Sequence, residues 1–348
     1  MVGTQIYNFN IKTVSPIHIG SGSSYNASDY FRDKHKTIDI FKRVNLSKYY
    51  KSLDVYEQKK LVKQLQNSDF RLKKISDEYK MYTAYDRCVK KPNPSNLIHE
   101  NIKTLNKSYI PGSSLKGAIR TALFYNNLTH EDINKIIKNN GEINEKFLNN
   151  FFSPTGNAND NILRFLYLKD SSIFPNPAIY DIITIKPDKL NGKKNIVKTY
   201  LETIFSQKKT LSSSIIINYK NGFYNELNFE NKEIFMDIDY IKKSIYEFSK
   251  DYINNEIKFS KENDLNSLNK FYKKIKGMNN VDSPLMKIGS SSGFLATTLN
   301  LKIKNMDRVV YNKIKMKVPG KKSKLDFPIT RKIVNKTDEP PGWVKLIF

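Results

Sequence analysis

Cysteine is nearly missing from this chain. Cys88 stands alone among 348 residues, which excludes an internal disulfide and any zinc site built from several thiolates, and suits a reducing compartment. Acidic residues are also short: 34 Asp and Glu face 59 Lys and Arg, giving a formal charge of +25 and a pI near 9.7. A surplus of that size points to a polyanionic partner, of which nucleic acid is the commonest; a merely basic surface is the alternative. No apolar run approaches the roughly 18 residues that a membrane helix needs, and Met1 to Thr13 holds no apolar stretch of signal-peptide length. The expectation is therefore a soluble, cytoplasmic protein without membrane contact. The 41 Phe and Tyr supply volume for a core, and some can stack on bases.

At roughly 150 residues per domain, the length suggests two domains. Tyr7, Phe9 and Ile11 alternate with polar residues as in a half-buried strand, which runs into a loop of small residues from Pro16 to Ser24. Tyr30 to Phe41 reads as a hairpin turning near Asp33-Lys34, and Leu46 to about Tyr82 as a Lys-rich helical insertion. Thr129 with Asp132 forms a capping box before one helix, and Ile143, Phe147, Leu148 and Phe151 suggest another. Leu163–Asp170 and Ile179–Ile185 read as neighbouring strands; Val197–Phe205 and Ser214–Tyr219 read as a second pair. Asn191-Gly192-Lys193-Lys194 marks the expected domain boundary. Helical spacing returns at Ile241, Ile245, Phe248 and Tyr252, and again at Leu265, Leu268, Phe271 and Ile275. The basic tail from Lys313 to Lys336, followed by Pro340-Pro341-Gly342-Trp343, reads as a solvated segment that orders against RNA or a neighbouring subunit.

The most informative stretch is Ile110-Pro111-Gly112-Ser113-Ser114-Leu115-Lys116-Gly117-Ala118-Ile119-Arg120-Thr121. Pro111 and Gly112 punctuate the backbone, Ser113 is placed to cap a helix, and Leu115, Ile119, Ala122 and Leu123 fall on one helical face. Lys116 and Arg120, four apart, share another. Like charges at that spacing cost roughly 0.2–0.5 kcal/mol, and a mid-helix glycine, Gly117, about 1 kcal/mol relative to alanine. Both make sense if an anion lies against this face, near the amides of the helix start, with Gly117 admitting a phosphodiester backbone. A capped amphipathic helix whose polar side is basic is the plainer alternative. A Walker A loop is excluded because Ala118-Ile119 follows Gly117. A dinucleotide fingerprint is excluded because Tyr25 stands where a third glycine should follow Gly20-Ser21-Gly22.

The twelve residues closely resemble the signature of RAMP proteins of CRISPR effector complexes. The strand-then-glycine-loop opening and Gly289-Ser290-Ser291-Ser292-Gly293 resemble that family too, whereas Gln207-Lys208-Lys209-Thr210 lacks the glycine often found in the corresponding turn. The resemblance implies an α+β protein of two ferredoxin-like (RRM-like) RAMP domains, 1–190 with a helical insertion around 45–105, and 191–348 with the basic tail. Length, insertion and the Thr330-Arg331 and Pro-Pro-Gly-Trp tail resemble the RAMP subunit that caps the crRNA 3′ end in type III-A Csm complexes, the 5′-end subunit being the nearest relative to confuse with it. Such a subunit would bind the 3′ portion of the guide, terminate the filament against the repeated RAMP backbone subunit and the small helical subunit, meet target RNA through the complex, and support 3′-end maturation by host nucleases. The expected RNA-binding residues are Gly112, Ser113, Ser114, Lys116, Gly117 and Arg120, then Gly20, Ser21 and Gly22, Gly289, Ser290, Ser291, Ser292 and Gly293, and Arg331. No catalytic residue, cofactor or metal is expected, since Asp29, Asp33 and Asp39 lack metal-ligand spacing. The competing reading is a metal-independent endoribonuclease using His18 or His35 with a tyrosine.

Overall fold

A computed structural model describes residues 3–138, 151–153, 155–188, 192–205, 209–219, 224, 226–227, 232–317 and 327–348. Two sheets dominate. Strands β1 (Thr4–Thr13), β2 (Gly20–Tyr25), β3 (Tyr30–His35), β4 (Ile38–Val44), β5 (Lys80–Asp86) and β6 (Ile98–Asn101) come first, then the short pair β7 (Lys103–Thr104) and β8 (Lys107–Ser108). They are followed by β9 (Leu166–Leu168), β10 (Ala178–Asp188), β11 (Gly192–Thr203), β12 (Thr210–Asn218), β13 (Leu285–Lys287), β14 (Arg331–Val334) and β15 (Trp343–Ile347). The first sheet is antiparallel in the order β13-β15-β1-β12-β9; the second runs β2-β6-β11-β10-β5-β4-β3, with β14 also paired to β10.

The helices are α1 (Leu46–Ser52), α2 (Val55–Leu65), α3 (Gly112–Asn127), α4 (His130–Lys138), α5 (Lys232–Phe235), α6 (Ile238–Glu262), α7 (Asn266–Lys276), α8 (Phe294–Thr297), α9 (Asn300–Met306) and α10 (Arg308–Lys317). The main core lies where α3, α6 and α7 meet the first sheet. Phe9 and Ile11 of β1, Ile215 and Ile217 of β12 and Trp343 of β15 pack with Leu115, Ile119, Ile241, Ile245, Tyr252, Leu268 and Tyr272. The result is α+β, with helices laid on an antiparallel sheet. Polar ties fix α3 on α6: the Tyr125 hydroxyl donates to Asp251 at 2.7 Å and the Asn126 amide to the Ser244 carbonyl at 2.8 Å.

Several expectations shift. The hairpin turns at Lys36-Thr37 instead of Asp33-Lys34, Lys36 taking the left-handed conformation (φ 56°). The small-residue stretch after Pro16 is partly an edge strand, β2, whose pairing with β6 slips between Gly20 and Ser24. The helical segment ends with α2, and Lys80 to Asp86 is a strand inside the second sheet. Neither anticipated strand pair forms, because β9 and β12 join the first sheet while β10 and β11 join the second. The tail is structural: β14 pairs with β10, and β15 lies between β1 and β13 with Trp343 fully buried. The expected helix residues Ile143, Phe147 and Leu148, the turn residues Gln207 and Lys208, tail residues 318–326 and the boundary at 190/191 lie outside the described residues. On either side of that boundary, β10 and β11 pair with each other.

Candidate nucleic-acid interface

Helix α3 starts at Gly112, but Ser113 does not cap it. The Gly112 amide donates to Asp170 Oδ1 at 2.8 Å, so a carboxylate just beyond β9 serves the helix start. The Ser114 amide donates to the Pro111 carbonyl at 3.0 Å. Two of the three amides expected to meet an anion are thus already engaged, which moves the weight of the site onto side chains. Gly112 itself is a packing requirement, since a methyl there would lie 2.7 Å from the Leu168 carbonyl carbon and closer still to its oxygen.

One turn further, the predicted faces separate as expected. Leu115, Ile119, Ala122 and Leu123 are buried, Lys116 and Arg120 are half-buried, and Gly117 is exposed. Burying three large apolar side chains at about 1.5–3 kcal/mol each outweighs the like-charge pair and the glycine. The cationic face is therefore held in place by the core and needs no ligand to form. A methyl on Gly117 would meet nothing within 4 Å. The Arg120 guanidinium sits 5.7 Å from the Phe152 ring centroid. Lys116 makes no ion pair with a carboxylate among the described residues, and burial pulls its ammonium below the usual lysine range.

Next to this helix start is a polar groove of about 480 Å³ that sequence reasoning missed, lined by Asn8, Asn10, Lys169 to Ser172 and Ser212 to Ser214. Its one visible sign was the run Ser212-Ser213-Ser214 inside an otherwise apolar strand. Asp170 belongs both to the groove and to the start of α3, so the two features adjoin.

The two glycine loops are brought together. The Ser290 amide donates to the His18 carbonyl at 3.0 Å, and a methyl on Gly289 (φ 87°) would lie 3.2 Å from the His18 carbonyl carbon. Gly20, Ser21 and Gly22 are exposed, as are Ser290 and Gly293, while Ser291 and Ser292 are buried. Arg331 stands apart: its Nε and Nη2 donate to the two carboxylate oxygens of Glu256 at 2.6 and 2.9 Å, and its guanidinium lies 3.7 Å from the Phe259 ring centroid. That buried pair commits its charge inside the protein.

His18 is 5% exposed, and its Nδ1 donates to the Glu202 carbonyl at 2.7 Å, so the neutral ring carries its proton on Nδ1. Burial pushes its pKa down to about 4. The Glu202 carboxylate, wholly buried, accepts from the Tyr25 and Tyr82 hydroxyls at 2.6 and 2.7 Å and from the Asn101 amide at 3.1 Å, and pairs with Lys103. Burial and this carboxylate raise both tyrosines above their ordinary range. The whole network holds β2, β5, β6 and β11 together under the first glycine loop. Asp29, Asp33 and Asp39 are ion-paired with Arg43, Lys42 and Lys91 at 3.3, 2.9 and 2.6 Å. Among the described residues no three His, Cys, Asp or Glu side chains gather into a metal site, and no helix is long and apolar enough to cross a membrane.

Comparison with known proteins agrees with the fold. The chain is 27% identical over 371 aligned positions to the CRISPR system protein Csm5 of Methanocaldococcus jannaschii, covering 96% of this chain and 87% of that one. It superimposes on a chain of the cryo-EM structure of a Csm–crRNA–target RNA ternary complex of a type III-A CRISPR-Cas system with a TM-score of 0.74 at 20% identity, covering 97% of this chain and 99% of the other. The crystal structure of T. onnurineus Csm5 gives 0.65 at 18% identity, with 96% and 99% covered. At these identities the structural likeness speaks to fold alone. The profile of the RAMP superfamily matches residues 10–294, most of the chain, and the protein belongs to that superfamily.

Proposed function

We propose that this protein is a non-catalytic RNA-binding subunit of a type III-A CRISPR ribonucleoprotein. In this reading it caps the 3′ end of the crRNA, terminates the filament against the repeated backbone subunit, contacts the small helical subunit, and supports 3′-end maturation by host nucleases in the cytoplasm. In this reading the chain comprises two ferredoxin-like RAMP units, with α1 and α2, which follow β4 of the second sheet, as an insertion. The observation that carries the proposal is the open cationic face of α3. Lys116 has no carboxylate partner among the described residues, Gly117 leaves room for a phosphodiester, and a serine-lined groove adjoins the helix start. Phosphate contacts of this kind position a strand without reading its sequence, as a subunit serving many guides requires. The similarity to Csm5 supports the placement.

The endoribonuclease reading loses its main residue. A general acid or base works best with a pKa near the operating pH, and His18 is buried, neutral and hydrogen-bonded into the Glu202 network. The proposal is tested by fluorescence anisotropy with single-stranded RNA across a salt series. Wild type should bind with little sequence preference and a log–log salt slope near −0.7 per neutralised phosphate. Lys116→Ala with Arg120→Ala should weaken binding and flatten the slope while the circular dichroism spectrum stays unchanged. A flat slope for wild type, or a double variant that binds as well as wild type, would refute it.

A further inference from the structure

Behind the second glycine loop lies a cavity of about 320 Å³, walled by α6, α7, β13, α8 and the segment leading into β14. Its charges do not balance internally. Arg331 and Glu256 neutralise each other, which leaves Lys287 of β13 without a carboxylate within ion-pair distance among the described residues. The Lys287 ammonium donates to the Tyr252 hydroxyl at 3.3 Å and faces the Tyr252 and Trp343 rings at 5.3 and 5.8 Å. Burial pulls its pKa down to about 8. Ser291, 6% exposed and lining the same cavity, has a hydroxyl with no hydrogen-bond partner among the described residues.

A desolvated cation and an unpaired hydroxyl in the lining of one cavity are unfavourable unless something supplies negative charge and acceptor atoms. An oxyanion supplies both. Lys332 also lines the cavity, so the surplus is positive. Part of the lining is apolar, with Leu295 and the Phe294 and Phe327 rings, which lie 5.1 Å apart. The volume falls at the lower end of small-molecule sites, about 300–1,000 Å³, which suits one nucleotide better than a longer ligand. We propose that this cavity is a binding site for a single phosphorylated nucleotide, with Lys287 Nζ and Ser291 Oγ holding the phosphate and the packed Phe294–Phe327 pair offering an apolar surface to the base. The nucleotide comes either from the phosphorylated end of an RNA strand or from a free mononucleotide. The site is distinct from the α3 face and stands whether or not that face grips RNA.

Calorimetric titration of the full chain distinguishes these cases, using adenosine 5′-monophosphate, adenosine, and a short RNA carrying either a terminal phosphate or a terminal hydroxyl. The monophosphate should bind and adenosine should not. Lys287→Met should weaken phosphate-dependent binding about tenfold or more, as expected for a lost charge-assisted hydrogen bond, and Ser291→Ala should weaken it by a few-fold. Binding of the free monophosphate with this dependence assigns the site to mononucleotides. Preference for the phosphorylated RNA alone, lost in Lys287→Met, assigns it to strand ends. Equal binding of adenosine and its monophosphate with no preference for phosphorylated RNA, or unchanged affinities in both variants, would overturn the proposal. Loss of salt-dependent RNA binding in the Lys116 and Arg120 variants would leave it standing.

Discussion

The two glycines of the α3 signature should respond in opposite ways to one added methyl group. At Gly112 the methyl would meet Leu168 and Lys169 backbone atoms, the carbonyl carbons at 2.7 and 3.0 Å. Those atoms belong to β9 and the residue after it, held by pairing with β12 and by the Lys169 amide bond to the Ser214 carbonyl. The strand cannot withdraw without losing these bonds, so Gly112→Ala should cost about 1–3 kcal/mol or more, the range for overpacking a filled interior. At Gly117 the methyl projects into open space, and the helix gains: replacing a mid-helix glycine by alanine stabilises by about 1 kcal/mol. The same methyl would stand where an RNA backbone has to approach. Gly117→Ala should therefore be more stable than wild type in urea unfolding and yet bind single-stranded RNA more weakly in anisotropy. A destabilised Gly117→Ala would refute the open geometry. A stabilised variant with unchanged RNA affinity would refute the close approach of RNA at this helix, and a neutral Gly112→Ala would refute the packing role given to that residue.

A similar contrast is expected in the second glycine loop. Gly293→Ala should cost about 1–3 kcal/mol for its backbone alone (φ 84°, ψ 166°), a combination essentially confined to glycine, as nothing lies within 4 Å, whereas Gly289→Ala should cost more because its methyl also strikes the His18 carbonyl; equal costs in chemical denaturation would refute the clamp between the loops. Glu256→Gln, leaving Arg331 buried without its counter-charge, should lose about 3–5 kcal/mol, and Glu256→Gln with Arg331→Met should recover much of it; a double variant no more stable than the single would refute the internal role of Arg331. His18 sets an acid limit. Its pKa is lowered from 6.5 to about 4, so the unfolded chain takes up its proton first, and this contribution to stability is complete above pH 6.5 and lost as pH falls towards 4. It amounts to about 3 kcal/mol at 1.36 kcal/mol per unit. The stability difference between wild type and His18→Gln should shrink over that window, and a pH-independent difference would refute it.

The sequence disclosed elements more readily than partners. The alternation at Phe9 and Ile11 and the helical spacing from Ile241 to Tyr252 name strand and helix correctly, because period alone determines which side chains share a face. Nothing in Val197–Phe205 or Ser214–Tyr219 tells them apart as members of different sheets: pairing is decided by long-range packing, which a local pattern does not carry. The charge-rich tail misled for a related reason, as Ile333, Val334 and Trp343 needed β10, β1 and β13 to bury them. In the candidate interface, Lys116, Gly117 and Arg120 were legible from their spacing on one helix. The carboxylate that caps that helix comes from Asp170, more than fifty residues away, and Glu202 draws Tyr25, Tyr82, and Asn101 with Lys103 from three separate segments. Clusters assembled across such distances leave no local trace.

The seating of β15 has a kinetic corollary. The Trp343 amide donates to Ser15 Oγ across 328 residues, the Gly342 amide to the Pro16 carbonyl, and Leu346 pairs with Ile11. The central strand of the first sheet therefore cannot be closed by any nearby segment, and its completion waits on the closing of a very long loop. Contacts so remote in the chain slow folding. Until they form, the unsatisfied edges of β1 and β13 are open to other chains, so a partner that shields those edges would raise the yield of native protein.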